Sequence, residues 1–149
     1  MLNFEPICIL NGKQIVQQLV ERGTRMRILV ADDHEVVRKG VCTILTSHFH
    51  LAECIEASNG QDALDKALSH LPDVAILDIN MPLLGGFGVA REIRRLLPQV
   101  PILFFTMHTG EQFVLEARKA GVQGLVAKDR AGEMLIEAVE ALLRKETFF

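Results

Sequence analysis

The chain has 149 residues, a length typical of one domain, and 49% of them are hydrophobic, which favours a globular protein over a disordered one. Its net charge of -3 gives no electrostatic basis for nucleic-acid binding by this chain alone. No apolar run approaches the ~20 residues that a membrane span requires, and no signal-peptide pattern is visible. We therefore expect a cytoplasmic protein with no membrane partner.

The three cysteines, Cys8, Cys42 and Cys54, show neither CxxC spacing nor histidines at metal-ligand spacing. An odd number of cysteines without such spacing favours reduced cysteines in the core of a cytoplasmic protein over redox or metal-binding roles.

Residues 1–25 stand apart from the rest of the chain. The stretch "GKQIVQQLVERG" (12–23) predicts a short amphipathic helix that would need a surface to pack on. The alternative is a native start at Met26, because Glu21-Arg22-Gly23 can be encoded by a purine run that resembles a ribosome-binding site. The segment is thus either an N-terminal extension or a non-native start, and both alternatives stay open.

From Arg27 onward, short β-rich apolar runs alternate with segments of helical periodicity. The predicted strands are "RILVA" (27–31), "LAECIEA" (51–57), "DVAILD" (73–78), "PILFFT" (101–106) and "GLVA" (124–127), and the predicted helices cover 34–47, 60–70, 86–97, 111–120 and 132–145. Asn59 is suited to cap the start of the second helix, and Gly121 to end the fourth. Five alternating strands and helices predict an α/β fold with a parallel sheet covered on both faces.

Polar residues follow four of these strands. Asp32 and Asp33 come after the first, Asp78 ends the third, Thr106 ends the fourth and Lys128 follows the fifth. Because ligand sites of such sheets lie at the carboxyl ends of the strands, we expect these side chains to converge on one edge.

Three close carboxylates repel one another, and a hard divalent cation relieves that repulsion. Mg²⁺, or Mn²⁺, takes oxygen ligands and keeps several waters. We expect Asp33 and Asp78 to coordinate the ion directly, with Asp32 in a supporting or water-mediated role. The backbone carbonyl of Asn80 is a further candidate ligand.

A carboxylate beside Mg²⁺ and a lysine is also arranged for phosphoryl transfer, in which the protein mainly positions groups and neutralises charge. Asp78 is the predicted nucleophile and phosphoacceptor. Lys128 is expected to pair first with the carboxylate and then with the phosphoryl oxygens, and Thr106 to donate a hydroxyl hydrogen bond to the phosphoryl group.

Four stretches carry a resemblance to a known family: "LVADDHEVVRKGV" (29–41), "DVAILDINMPLLGGFGVAREIR" (73–94), "ILFFTMHTGE" (102–111) and "ARKAGVQGLVAKD" (117–129). Over residues 26–145 the sequence resembles a bacterial two-component response-regulator receiver domain, and it is most similar to the receivers of NarL/LuxR-type transcription factors. Residues 146–149 would then be the start of a linker or a C-terminal tail.

The resemblance implies a flavodoxin-like, doubly wound sheet of five parallel strands in the order 2-1-3-4-5, with five helices. It implies a signalling domain, not an enzyme, that accepts a phosphoryl group on Asp78 from a sensor histidine kinase and assists its own phosphorylation and dephosphorylation. The face formed by helix 4, strand 5 and helix 5 would switch, with homodimerisation on phosphorylation. DNA would be bound only through a C-terminal helix-turn-helix domain absent from this chain, which is either truncated or a stand-alone receiver.

Three residues are expected to modulate this behaviour. Leu125 stands where the family usually carries a switching Tyr or Phe, so the aromatic part of the switch is in question. Asn80 and His108 each lie two residues after a site residue, at positions that resemble the family's tuners of phosphoryl lifetime.

A phosphorylation-independent receiver-like interaction module is the main alternative, and Leu125 favours it. A haloacid-dehalogenase-like phosphatase would require a DxD pair after the first strand, whereas this chain has "DDH" (32–34). A flavodoxin-like FMN binder would require a Ser/Thr/Gly phosphate loop and aromatic stacking, and the chain contains no Trp or Tyr.

Overall fold

The computed structural model of the protein describes residues 25–149 together with Gln14. The helix predicted over 12–23 otherwise lies outside the described residues. In the part that is described, no helix is long and apolar enough to cross a membrane.

The described chain alternates strictly between strands and helices. The strands are β1 (Arg27–Ala31), β2 (Glu53–Ala57), β3 (Val74–Leu77), β4 (Ile102–Thr106) and β5 (Gly124–Ala127). The helices are α1 (Glu35–His48), α2 (Gly60–His70), α3 (Gly86–Leu96), α4 (Glu111–Lys119) and α5 (Ala131–Leu143), with a 3₁₀ turn, Lys128–Arg130, before α5. All strand pairs are parallel and the order is 2-1-3-4-5, as predicted.

The sheet is buried on both faces, which explains why its central strand is apolar throughout. Alternate residues of β1 point to opposite sides, so Leu29 joins the core under α3 while Ile28 joins the core under α1 and α5. All four residues of β3 are buried. A strand covered on both sides is held rigidly, and the residue after it is therefore placed precisely.

Both predicted helix ends are present. The Asn59 side chain accepts a 2.7 Å hydrogen bond from the Asp62 N–H at the start of α2. Gly121 comes after the end of α4 with φ 81°, the left-handed conformation that glycine adopts at little cost.

The cysteines differ from the expectation. Cys42 in α1 and Cys54 in β2 form a disulfide, with their Cα atoms 5.9 Å apart, instead of remaining reduced. The packing of α1 beside β2 brings them together, and neither the odd count nor the spacing of the cysteines reveals that contact. Cys8 lies outside the described residues.

Gly86 fixes how α3 begins against the loop after β3. Its N–H donates a 2.8 Å hydrogen bond to the Ile79 carbonyl. A Cβ at this position would overlap the carbonyl oxygen of Asp78 and lie 2.8 Å from Ile79 Cα. The need for glycine at this position therefore comes from the close approach of the two backbone segments.

We predict that Gly86→Ala lowers the free energy of unfolding by about 1–3 kcal/mol, because the added methyl must displace backbone. Gly40→Ala is the matched control: a Cβ there meets nothing within 4 Å. In the interior of α1 that change should raise stability by about 0.5–1 kcal/mol. Urea denaturation of both variants measures the difference, and equal shifts would contradict the prediction.

Candidate functional site

The carboxyl ends of β1, β3, β4 and β5 meet at one edge of the sheet, where the predicted polar residues lie. Asp32, Asp78 and Thr106 are all buried there, with 2%, 5% and 0% of their surfaces exposed. Lys128 begins the 3₁₀ turn after β5 and reaches back toward them. Burial of two carboxylates is unusual unless charged partners compensate for their lost hydration.

Lys128 provides that compensation by bridging both carboxylates. Its Nζ lies 2.7 Å from Asp32 Oδ2 and 3.1 Å from Asp78 Oδ2. Burial alone would lower the pKa of Lys128, but its close contacts with the negatively charged Asp32 and Asp78 carboxylates outweigh that effect and raise the pKa. The bridging amine is therefore protonated at neutral pH.

Asp78 is held in an environment that disfavours its charge. Burial raises the pKa of Asp78, and the Asp32 carboxylate adds to that increase, whereas Lys128 opposes both effects without cancelling them. The N–H of Asn80 donates a 3.4 Å hydrogen bond to Asp78 Oδ1. A further positive charge at this position would stabilise the ionised carboxylate.

The two neighbouring aspartates differ in their surroundings. Asp32 Oδ1 accepts a 2.8 Å hydrogen bond from the His34 N–H, and Oδ2 contacts Lys128. The Asp33 side chain is 36% exposed, and its Oδ1 lies 3.1 Å from His34 Nδ1. Asp32 is therefore tied into the protein, whereas Asp33 is available to solvent and to a ligand.

His34 is a neighbour of the site that the sequence pattern does not single out. Its Nδ1 lies 3.1 Å from one oxygen of each neighbouring aspartate. The only signal in the sequence is its position directly after the aspartate pair. That position does not reveal the direction of the ring.

The donor set fits a divalent cation. Ligand atoms of Asp32, Asp33, His34 and Asp78 all lie within 4.8 Å of one another. Among the described residues, the buried Asp32 Oδ2 has an ion-pair contact with Lys128 but no hydrogen bond of acceptable geometry, so it retains capacity for another partner. Several clustered carboxylate oxygens with unmet charge are what a hard cation such as Mg²⁺ prefers.

Thr106, His108 and Asn80 connect the loops around the site. Thr106 ends β4, and its Oγ1 accepts a 3.1 Å hydrogen bond from the His108 N–H, which leaves the hydroxyl proton free to be donated. His108 Nε2 lies 2.8 Å from Asn80 Nδ2, and its ring stacks on Phe113 at 4.9 Å. The loops after β3 and β4 are thus joined beside Asp78.

Leu125 is an apolar residue of β5. It is 8% exposed in β5 and packs in the same apolar cluster as Ala117 of α4. Its N–H donates to the Phe148 carbonyl at 2.9 Å. The structure therefore gives Leu125 a packing and backbone-pairing role.

The comparisons with known proteins all indicate one family. The family described as "Response regulator receiver domain" matches residues 28–140. The oxygen regulatory protein NreC of Staphylococcus epidermidis is 36% identical over 124 residues, which cover 83% of this chain and 57% of NreC. The transcriptional regulatory protein YxjL of Bacillus subtilis is 33% identical over 125 residues, 84% of this chain and 57% of YxjL. The chain thus spans little more than half the length of these relatives.

Solved structures agree. A two-component response regulator of the LuxR family from Aurantimonas sp. SI85-9A1 has a TM-score of 0.78 at 32% identity, covering 85% of this chain and 90% of that one. The signal receiver domain of the response regulator NarL from Mycobacterium tuberculosis has a TM-score of 0.74 at 32% identity, covering 80% of this chain and 97% of its own.

The raised pKa of Asp78 allows the site to be tested without any ligand. Because the pKa of Asp78 is higher in the folded than in the unfolded protein, ionisation of this carboxyl lowers stability as the pH rises through the folded pKa. In metal-free buffer at pH 7, we predict that Asp78→Asn raises the free energy of unfolding by on the order of 1 kcal/mol.

That advantage should shrink as the pH falls to the ordinary aspartate range, where the wild-type carboxyl is also neutral. Asp65→Asn, on the exposed surface of α2, controls for the loss of one negative charge. Urea denaturation from pH 3 to pH 8 gives the comparison. A destabilised Asp78→Asn protein at pH 7 would show that this account of the site is wrong.

Proposed function

The chain belongs to the family of response regulator receiver domains, and from this premise we propose that it accepts a phosphoryl group on Asp78 from a sensor histidine kinase in a Mg²⁺-dependent reaction. Members of this family are signalling domains and not conventional enzymes. The observation that carries the proposal is the contact of one protonated lysine with two buried carboxylates at the end of the central strands. Such an arrangement is costly for stability alone and suited to phosphoryl transfer.

In the proposed step, a carboxylate oxygen of Asp78 attacks the phosphorus of the phosphohistidine. The new O–P bond forms as the P–N bond breaks, and the imidazole leaves with the bonding electron pair. Lys128, which now pairs with Asp78, would then neutralise charge on the transferred group. The proton on Lys128 stays in place throughout.

Asp33 and Asp78 are proposed as the carboxylate ligands of Mg²⁺ or Mn²⁺, with the carbonyl of Asn80 as a third and Asp32 in support. The carboxylate oxygens of Asp32, Asp33 and Asp78 that lie within 4.8 Å of one another support the carboxylate part of this assignment. When bound, the ion neutralises the acidic cluster and the oxygens of the incoming phosphoryl group.

Thr106 is proposed as the residue that responds to the phosphoryl group. Its hydroxyl proton is not committed to the bond from His108, so it is free to be donated toward Asp78. Thr106 is also paired with Ala127 of β5, and its movement would be felt in that strand. The face formed by α4, β5 and α5 is accordingly the proposed output surface, including for homodimerisation.

Asn80 and His108 are proposed to set how long the phosphoryl group lasts. Their 2.8 Å contact joins the loops after β3 and β4, and His108 is further fixed by stacking on Phe113. A fixed pair beside the acceptor restricts the approach of a hydrolytic water.

We assign the receiver to residues 26–145, residues 1–25 to an N-terminal segment and residues 146–149 to the start of a linker or a C-terminal tail. By analogy with the LuxR-type relatives, DNA would be contacted through a separate C-terminal domain, in the cytoplasm where a kinase can reach the receiver. A phosphorylation-independent interaction module is the second candidate, and Leu125, an aliphatic residue in the proposed output strand, is the observation that favours it.

We predict that acetyl phosphate with Mg²⁺ adds one phosphoryl group to the protein and that Asp78→Asn abolishes the addition, because the attacking oxygen is lost. Intact-mass spectrometry reads the result. Asp65→Asn should be modified like the wild type. Full modification of Asp78→Asn would place the acceptor elsewhere, and an unmodified wild type would support the interaction-module candidate.

Mg²⁺ should also stabilise the fold without any phosphoryl donor. A ligand at about a hundred times its dissociation constant adds about 2.7 kcal/mol to the free energy of unfolding. We expect wild type and Asp65→Asn to show this gain on titration with MgCl₂, and Asp33→Asn to lose most of it. Equal stabilisation of all three proteins would mean that Asp33 is not a ligand.

A further inference from the structure

After α5 the chain reverses direction through a well-formed helix end. The Glu146 N–H donates to the Ala141 carbonyl at 2.9 Å, and the Lys145 N–H to the Leu142 carbonyl at 3.0 Å. Lys145 has φ 65°, so a lysine occupies the left-handed position that is usually glycine in this motif. The reversal sends residues 146–149 back along the sheet instead of away from it.

Those residues, 146–149, here called the edge segment, pair with β5. The Phe148 carbonyl accepts a 2.9 Å hydrogen bond from the Leu125 N–H, and the Phe148 N–H donates to the Gln123 carbonyl at 2.9 Å. Phe148 forms a parallel bridge with Gly124. β5 is an edge strand of the sheet, so the edge segment satisfies backbone groups that would otherwise face solvent.

The edge segment lies close to β5, and its two phenylalanine side chains contact the helices on either side of that strand. A Cβ at Gly124 would lie 2.8 Å from the Phe148 carbonyl oxygen, so the strand leaves room for the edge segment. Phe148 packs against the apolar cluster that contains Leu142 of α5. Arg118 of α4 lies over the Phe149 ring, 4.1 Å from its centre. The edge segment therefore contacts α4, β5 and α5 together.

The edge segment is also linked to the acidic site through β5. Leu125 pairs with Phe104 of β4, and Ala127, two residues further, pairs with Thr106. A shift of β5 in response to Thr106 would move the Leu125 N–H, which holds the edge segment. The contact is small: two backbone hydrogen bonds, one half-buried ring and one ring that is 38% exposed. A contact of this size is easily reversed.

We propose that the edge segment is a strap that holds the α4–β5–α5 face in its unphosphorylated arrangement, and that phosphoryl binding at Asp78 releases it. The occupant of the β5 edge is this chain's own edge segment. The coupling rests on the proposed function, whereas the strap itself does not. Because coupling between sites is reciprocal, weakening the strap must tighten binding of a phosphoryl group or its mimic.

The test uses hydrogen exchange of the full chain by NMR, with and without beryllofluoride and Mg²⁺ as a phosphoryl mimic. We expect the Leu125 and Phe148 amides to be protected in the free protein and to lose about tenfold of that protection with the mimic. The Ala75 amide, bonded to the Pro101 carbonyl elsewhere in the sheet, should not change. Shifts of the resonances of residues 78–81 report independently that the mimic has bound.

A matched pair of variants tests the strap directly. Phe148→Pro removes the N–H that bonds Gln123, whereas Phe148→Leu keeps that N–H and an apolar side chain. Phe148→Pro should lose protection at Leu125 and bind beryllofluoride about fivefold more tightly than Phe148→Leu.

Each outcome is decisive. Mimic-induced shifts at 78–81 with unchanged exchange at Leu125, or equal affinities of the two variants, overturn the strap proposal and leave the proposed function standing. Absence of any shift at 78–81 overturns the proposed function and, with it, the coupling. Protection at Leu125 that falls on dilution would place the edge segment of a second copy on β5 and overturn the intramolecular strap.

Discussion

The salt bridge of Lys128 to two buried aspartates is the interaction on which the rest of the site depends. Two unit charges 4 Å apart interact by about 4 kcal/mol at an effective dielectric of 20, so Asp32 and Asp78 could not both ionise in the core without a nearby cation. Lys128 permits this, but burial and the second carboxylate still keep the pKa of Asp78 raised. Buried ion pairs seldom improve stability over apolar packing. The arrangement leaves the negative charge of the two carboxylates only partly balanced, and a further positive charge would neutralise the remainder.

The fold holds the carboxylates of this cluster close together despite their mutual repulsion. β3 is apolar along its whole length because helices cover both faces of the sheet. Asp78 directly follows this buried strand, so its position is fixed by the sheet. Gly86 then lets the start of α3 pack directly against the backbone of Asp78 and Ile79. Carboxylates on a mobile loop would separate and become hydrated. Those at the end of a doubly covered sheet remain close together, and their repulsion persists.

Much of the fold and of the candidate site could be predicted from the sequence, because the patterns that indicate them are local. Alternation of strand and helix patterns predicts the parallel sheet, and the rule that ligands lie at strand ends selects Asp32, Asp78, Thr106 and Lys128. The features that could not be predicted depend on packing between segments that are distant in the sequence. The Cys42–Cys54 disulfide requires α1 to lie beside β2, the Lys128–Asp32 contact requires the direction of one long side chain, and the place of His34 requires the direction of its ring. No periodicity or spacing encodes those directions.

The surroundings of β5 could likewise not be predicted from the sequence. The strand lacks the aromatic residue that the family usually carries, and the structure brings aromatic rings to it from elsewhere in the chain. An aliphatic residue at position 125 suggests a strand without an aromatic switch, and residues 146–149, which include "TFF" (147–149), are predicted from the sequence as the start of a linker or a C-terminal tail. In the fold these two features meet, because the left-handed Lys145 turns the chain back and Phe148 pairs with the backbone of Leu125. Aromatic rings therefore do reach the face formed by α4, β5 and α5, but the edge segment supplies them instead of the strand. An aromatic residue within β5 itself could only rotate in place, whereas one held on the strand by edge hydrogen bonds can leave altogether. Under the proposed function, communication from Asp78 to that face would run through backbone pairing along β4 and β5, and would not depend on the rotamer of any single side chain.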